Sequence, residues 1–149
     1  MTLLTTGSGQ DIIIGGTDND IINAGEGNNI VLGDEGRIAY DLDGNSADID
    51  LIESLFTTAA GGIDEITTGT GNDIVIGGRF GDKIDAGAGN NLVIGDSGKI
   101  TAAISDAVQQ LAGIPMTFGF IETIEPTDGG IDTITTLGGY DIVLGGHEG

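Results

Sequence analysis

The chain has 149 residues, with 29 glycines, two prolines, no cysteine, and a net charge of −20 from 24 acidic against four basic residues. This composition excludes collagen, which needs abundant proline, and disulfide or thiolate-metal frameworks. It also makes phosphate backbones and anionic lipid poor partners, so neither nucleic acid nor membrane insertion is expected, and cations are the natural counter-ions.

From the N-terminus, apolar triplets recur every nine residues between glycine-rich turns. They predict short strands at 3–5, 12–14, 21–23 and 30–32. An irregular segment, 37–60, follows. It reads as a strand from Arg37 into an Asp43-Gly44 hairpin turn, with Ile49, Leu51, Ile52, Leu55 and Phe56 returning. Gly61-Gly62-Ile63-Asp64 supplies the second half of a turn that Gly33-Asp34 begins, so the segment is read as an excursion from inside one turn. Strands are then expected at 65–67, 74–76, 83–85 and 92–94. A second excursion, 99–128, would hold a short helix from a Ser105 N-cap to Gly113, followed by Met116, Phe118, Phe120 and Ile121. Gly129–Asp132 closes its turn, and strands at 133–135 and 142–144 end the series.

The phase is reinforced by a longer repeat. Thr5–Ile38 aligns without a gap on Thr67–Ile100, with 21 of 34 positions identical, and a third copy over 135–149 is cut short at Gly149. Units this small cannot bury a core alone and must stack. The expected architecture is therefore all-β: one array over 1–149, a parallel solenoid whose strands alternate between two sheets. One sheet would carry aliphatic triplets such as Ile12–Ile14 and Ile74–Ile76, apolar on both faces, and such a sheet needs a cover. The two insertions are the expected lid, since most of the aromatics lie there. The rival reading is a partner interface.

Within the copies, the units Thr6–Ile14, Gly15–Asn23, Ala24–Leu32, Thr68–Ile76, Gly77–Asp85 and Ala86–Ile94 read small-Gly-x-Gly-x-Asp/Asn-x-aliphatic-x. This pattern resembles the RTX (repeats-in-toxin) nonapeptide of secreted bacterial proteins and adhesins. The resemblance implies a β-roll with several Ca²⁺ ions in its turns, type I secretion, an extracellular or cell-surface location, and folding when calcium is met outside the cell. It also implies a C-terminal secretion signal, which is not visible here. The chain thus reads as a segment of a longer protein, with neighbouring domains as partners and an open end that could stack on itself. Departures from the pattern are Asp18 and Phe80 at the fourth position, Asn29 and Asn91 at the sixth, and Thr or Ala at several first positions.

Carboxylate and carbonyl oxygens suit Ca²⁺. The expected ligands fall on two edges of the roll. One edge has Asp11, Asn29, Asp73, Asn91 and Asp141; the other has Asp20, Asp64, Asp82 and Asp132, with Asp34 and Asp96 nearby. Carbonyls of Gly7, Gly9, Gly16, Gly69, Gly71, Gly78 and Gly87 are expected co-ligands. By charge count the second edge should bind more tightly. Asp41-x-Asp43-x-Asn45 does not continue as an EF-hand, because Ser46 replaces its glycine and Ile52 its terminal glutamate. With one histidine, His147, and no nucleophile–base pair, an enzyme is not expected. A glycan- or protein-binding adhesive module, or the calcium-dependent tail of a toxin, protease or lipase, are the alternatives.

Overall fold

The computed structural model describes residues 1–105 and 109–147. The roll begins with β1 (Leu3–Thr5), β2 (Ile12–Ile14), β3 (Ile21–Gly25) and β4 (Ile30–Leu32), and the first insertion adds β5 (Gly36–Ala39) and β6 (Leu51–Ser54). The roll resumes as β7 (Glu65–Thr68), β8 (Ile74–Ile76), β9 (Lys83–Asp85) and β10 (Leu92–Ile94). The second insertion contributes β11 (Gly98–Ala102) and β12 (Phe118–Thr123), before β13 (Thr133–Thr135) and β14 (Ile142–Leu144).

The ten roll strands alternate between two parallel sheets, ordered β1-β3-β7-β9-β13 and β14-β10-β8-β4-β2. Both insertions therefore leave and re-enter without breaking phase. A three-residue strand turns its middle side chain inward and its flanks outward. The middle residues stack in register, Leu4 on Ile22, Ile66, Ile84 and Ile134 in one sheet and Ile13 on Val31, Val75, Val93 and Val143 in the other. All but Val143, which is exposed on the last strand, form the inner core, and Ala24 and Ala86 are buried with them.

The aliphatic sheet has a second core on its outer face. Ile30, Leu32, Ile74, Ile76, Leu92 and Ile94 are buried against Ile49, Ile52, Ile100, Leu111, Ile114 and Met116 from the insertions. The cover is one antiparallel sheet, β12-β11-β6-β5, built from both insertions. Its inner row is Ile38, Ile52, Ile100 and Ile121, and its adjacent row is Arg37, Glu53, Lys99 and Glu122. Apolar and charged residues alternate along these strands because one face is buried and the other wet.

Four expectations about the insertions need correction. The lid buries the outer flanks of β4, β8 and β10, whereas Ile12 on β2 stays 52% and Ile142 on β14 stays 43% exposed. Tyr40 and Phe118 pack on the lid core, but Phe56 and Phe120 face solvent. Asp43-Gly44 does turn, with Gly44 at φ +94°, yet it lies in a broad loop between β5 and β6 and not in a two-residue hairpin. The helix expected over 105–113 falls partly on 106–108, outside the described residues, and 109–113 is turn.

Candidate metal sites

Each roll turn presents its sixth-position side chain to the coil before it. On one edge the Asp20 N–H donates to Asp64 Oδ1 (2.7 Å), Asp64 N–H to Asp82 Oδ1 (2.8 Å) and Asp82 N–H to Asp132 Oδ1 (2.8 Å). On the other, Asp11 N–H donates to Asn29 Oδ1 (3.1 Å), Asn29 N–H to Asp73 Oδ1 (2.7 Å), Asp73 N–H to Asn91 Oδ1 (2.9 Å) and Asn91 N–H to Asp141 Oδ1 (2.9 Å). We call these the aspartate edge and the asparagine edge. One oxygen of each of these side chains except Asp11 is thus spent on backbone (Asp20 Oδ1 on the Thr2 N–H), which locks its rotamer and leaves the other atom directed into the turn.

Along the aspartate edge that second atom has no donor. Oδ2 of Asp20, Asp64, Asp82 and Asp132 is buried and unpartnered. It lies beside the first glycine of its own turn, where the carbonyl oxygen of the next coil's first glycine also arrives. A Cβ on Gly33 would overlap both Asp64 Oδ2 and Gly77 O. Gly77 stands in the same relation to Asp82 Oδ2 and Gly95 O, and Gly95 to Asp132 Oδ2 and Gly145 O. The Gly16 and Gly78 N–H groups donate to the Gly33 and Gly95 carbonyls, but no donor reaches the carboxylate oxygens packed beside them, which costs free energy unless a cation joins the two.

The electrostatics agree. Burial pushes the Asp82 carboxyl up to about 9, with the Asp64, Asp132 and Asp34 charges adding to the rise against a hydrogen bond from the Asp64 backbone. Burial likewise raises Asp64 and Asp132 to about 6. A bound divalent cation would reverse the preference and hold these groups ionised.

Asp34 and Asp96 sit on the aspartate edge at the second position of the two split turns. Asp34 accepts from the Gly62 N–H (2.8 Å) and Arg79 N–H (2.6 Å), while Asp96 accepts from the Gly130 N–H (3.0 Å) and the His147 N–H. They splice the departing chain to its return, and both oxygens of each already carry a bond. Burial raises Asp34 to about 7.

Of the expected glycine carbonyls, those of Gly7, Gly69 and Gly87 accept N–H bonds from Glu26, Ala88 and Leu137 across the asparagine edge. Gly9 and Gly71 lie on that edge too, with their carbonyl oxygens against Gly27 and Gly89; Gly16 and Gly78 lie on the aspartate edge. The sequence reasoning missed the first-position glycines, Gly33, Gly77, Gly95 and Gly145, whose carbonyls meet the free carboxylate oxygens. A signal for them was present. First positions are invariably Gly on the aspartate edge but Thr or Ala on the other. At Gly15, Gly33, Gly77 and Gly95 a carbonyl oxygen of the next coil fills the Cβ space, which only the last, Gly145, has open. Among the described residues no three His, Asp or Glu side chains form an all-side-chain metal centre. A site here must mix backbone carbonyls with carboxylates, the donor set Ca²⁺ prefers.

The description "RTX calcium-binding nonapeptide repeat" belongs to the family model that matches residues 5–37, 58–79 and 67–99, in four copies. The matched residues take in both long copies and the return half-turn of the first insertion. No curated protein and no solved structure matches the chain. This repeat is a structural, calcium-binding unit, and the stacked turns of buried carboxylates have the oxygen chemistry it requires. The chain belongs to the RTX calcium-binding nonapeptide repeat family.

Proposed function

We propose that the chain is an extracellular structural module that completes its fold on binding calcium in the turns of the aspartate edge. The ligands would be Asp20, Asp64, Asp82 and Asp132 with the first-glycine carbonyls beside them; Asp34 and Asp96 would set the geometry of the split turns and add charge. The observation that carries this reading is the row of buried carboxylate oxygens without a donor. With a net charge of −20 and a glycine-rich backbone, the cation-free roll bears both charge repulsion and a large ordering entropy. Each site filled to ten times its Kd contributes about 1.4 kcal/mol, so three filled gaps supply roughly 4 kcal/mol, a large part of a domain's net stability. Such coupling suits secretion, because calcium is scarce in the cytosol and millimolar outside. Circular dichroism and calorimetry in EDTA, then in millimolar Ca²⁺, test it; a melting temperature and spectrum indifferent to chelation would refute the coupling.

A second reading, an adhesive module, is favoured by the outward-facing Phe56 and Phe120 of the insertions. Sugar rings stack on exposed aromatics. Glycan-array binding lost in Phe56→Ala and Phe120→Ala would support it, and a silent array would set it aside.

A further inference from the structure

The two edges are built from the same repeat but not with the same chemistry. All three gaps of the aspartate edge lie between two aspartates. Each of the four gaps of the asparagine edge, Asp11–Asn29, Asn29–Asp73, Asp73–Asn91 and Asn91–Asp141, contains one asparagine.

Asn29 shows what that amide does. Its Oδ1 accepts the Asp11 N–H, as an aspartate would, while its Nδ2 donates to the carbonyl of Gly27 at 3.1 Å and reaches that of Gly25 at 3.5 Å. A donor therefore occupies the inside of the turn where the other edge offers a bare oxygen. The Gly25 carbonyl also accepts the Gly69 N–H. Glycine carbonyls on both edges take such bonds, Gly33 and Gly95 from the Gly16 and Gly78 N–H groups among them, so the amide donor and not carbonyl engagement is what sets this edge apart.

Two carboxylate oxygens on this edge lack a donor, Asp11 Oδ2 at its N-terminal end and Asp73 Oδ2 inside it, and the second of these has an amide nearby. Asp73 Oδ2 lacks a donor and Asn91 Nδ2 lacks an acceptor, and the two residues bound one gap. The lid also touches this edge through exposed hydrogen bonds. Asn72 Nδ2 donates to the Ala112 carbonyl (2.8 Å) and Gln10 Nε2 to that of Gly113.

We propose that Asn29 and Asn91 determine where calcium goes: their amides stand in for cations, so ions load along the aspartate edge while the asparagine edge closes without them. The proposal rests on the calcium reading above and adds a selectivity that the repeat pattern alone does not specify. A divalent ion brought to Asn29 would meet an N–H donor in place of a ligand oxygen. The Gly27 carbonyl would have to give up the bond it accepts from that amide.

Native mass spectrometry at saturating calcium, with calorimetric titration, reads the number of ions bound. Asp82→Asn, which alters two gaps of the aspartate edge, should lower the count. Asp73→Asn, the same chemical change on the other edge, should leave it at the wild-type value. The Asn29→Asp/Asn91→Asp double variant, which converts every gap of its edge to paired aspartates, should raise it. Should Asp82→Asn fail to fold, Asp20→Asn, bordering the single gap to Asp64, carries the same comparison. An Asp73→Asn chain that loses ions as Asp82→Asn does, or a double variant with an unchanged count, overturns the assignment. A wild-type chain that binds no calcium overturns instead the reading on which it rests.

Discussion

Ile52 of the first insertion lies directly opposite Ile100 of the second in antiparallel register, and both are fully buried. Two excursions separated by a complete repeat copy thus join in one sheet. Each insertion carries its own antiparallel pair, and the β6–β11 pairing joins the two, so the lid links coils that are far apart in sequence.

Truncating either partner should therefore loosen the whole lid. Ile52→Ala and Ile100→Ala are each expected to cost about 2–5 kcal/mol, as for large-to-small changes in packed cores, with a non-additive double variant because the residues touch. Urea unfolding in saturating calcium measures both. Additive losses would show that the two insertions pack independently.

The charged row beside these isoleucines offers a milder probe. Glu53 lies between Arg37, 2.5 Å away, and Lys99, 3.9 Å away, on neighbouring strands. Glu53→Lys would set three cations side by side and should cost on the order of 1 kcal/mol, less at high salt. A cost unaffected by added salt would assign it to packing and not to charge.

Glycine substitutions should separate the space-limited turns from the open ones. A Cβ at Gly33 would overlap Asp64 Oδ2 and the Gly77 carbonyl, whereas one at Gly7 meets nothing within 4 Å. Gly33→Ala is predicted to weaken calcium binding at least tenfold, and Gly7→Ala to leave it within about twofold. Paired titrations followed by circular dichroism distinguish them; equal affinities would mean that the aspartate edge tolerates displacement of its ligand oxygens.

Acidity should act in opposite directions with and without calcium. The raised carboxyls of Asp64 and Asp132 at about 6, Asp34 at about 7 and Asp82 at about 9 make the cation-free fold bind more protons than the unfolded chain. The window opens near pH 4, the ordinary aspartate value. Stability without calcium must then fall as pH rises from about 4 through those values. In EDTA the folded fraction should be higher at pH 5 than at pH 8, while calcium affinity should be higher at pH 8, where protons no longer compete. A cation-free chain that gains structure on going from pH 5 to pH 8 would contradict the burial of these groups.

The ten roll strands could be placed from sequence because a nine-residue spacing with an aliphatic centre is a local property. Ile13, Ile22 and Val31 each declare an inward position through their own neighbours, and Gly61 and Gly129 carry the phase across the insertions. The need for a lid was legible for the same reason, since Ile74-Val75-Ile76 has no polar face to give to water. What the lid would be was not. The pairing of Ile52 with Ile100 joins residues whose separation no local pattern encodes, and the outward turn of Phe56 and Phe120 follows from a register that only docking sets.

The ligand ladder divides along the same line. The identity and rhythm of Asp20, Asp64, Asp82 and Asp132 are written in the repeat. Only the stacked coils decide that one oxygen of each is held by a backbone N–H while the other is left against a glycine carbonyl. Equally, an asparagine at the sixth position reads in sequence as a weaker ligand of the same kind. In three dimensions the Asn29 amide donates to the Gly27 carbonyl, because hydrogen bonding to the coil before fixes which face of the side chain looks inward. Spacing selects the residues, and the contacts between coils select which of their atoms can serve an ion.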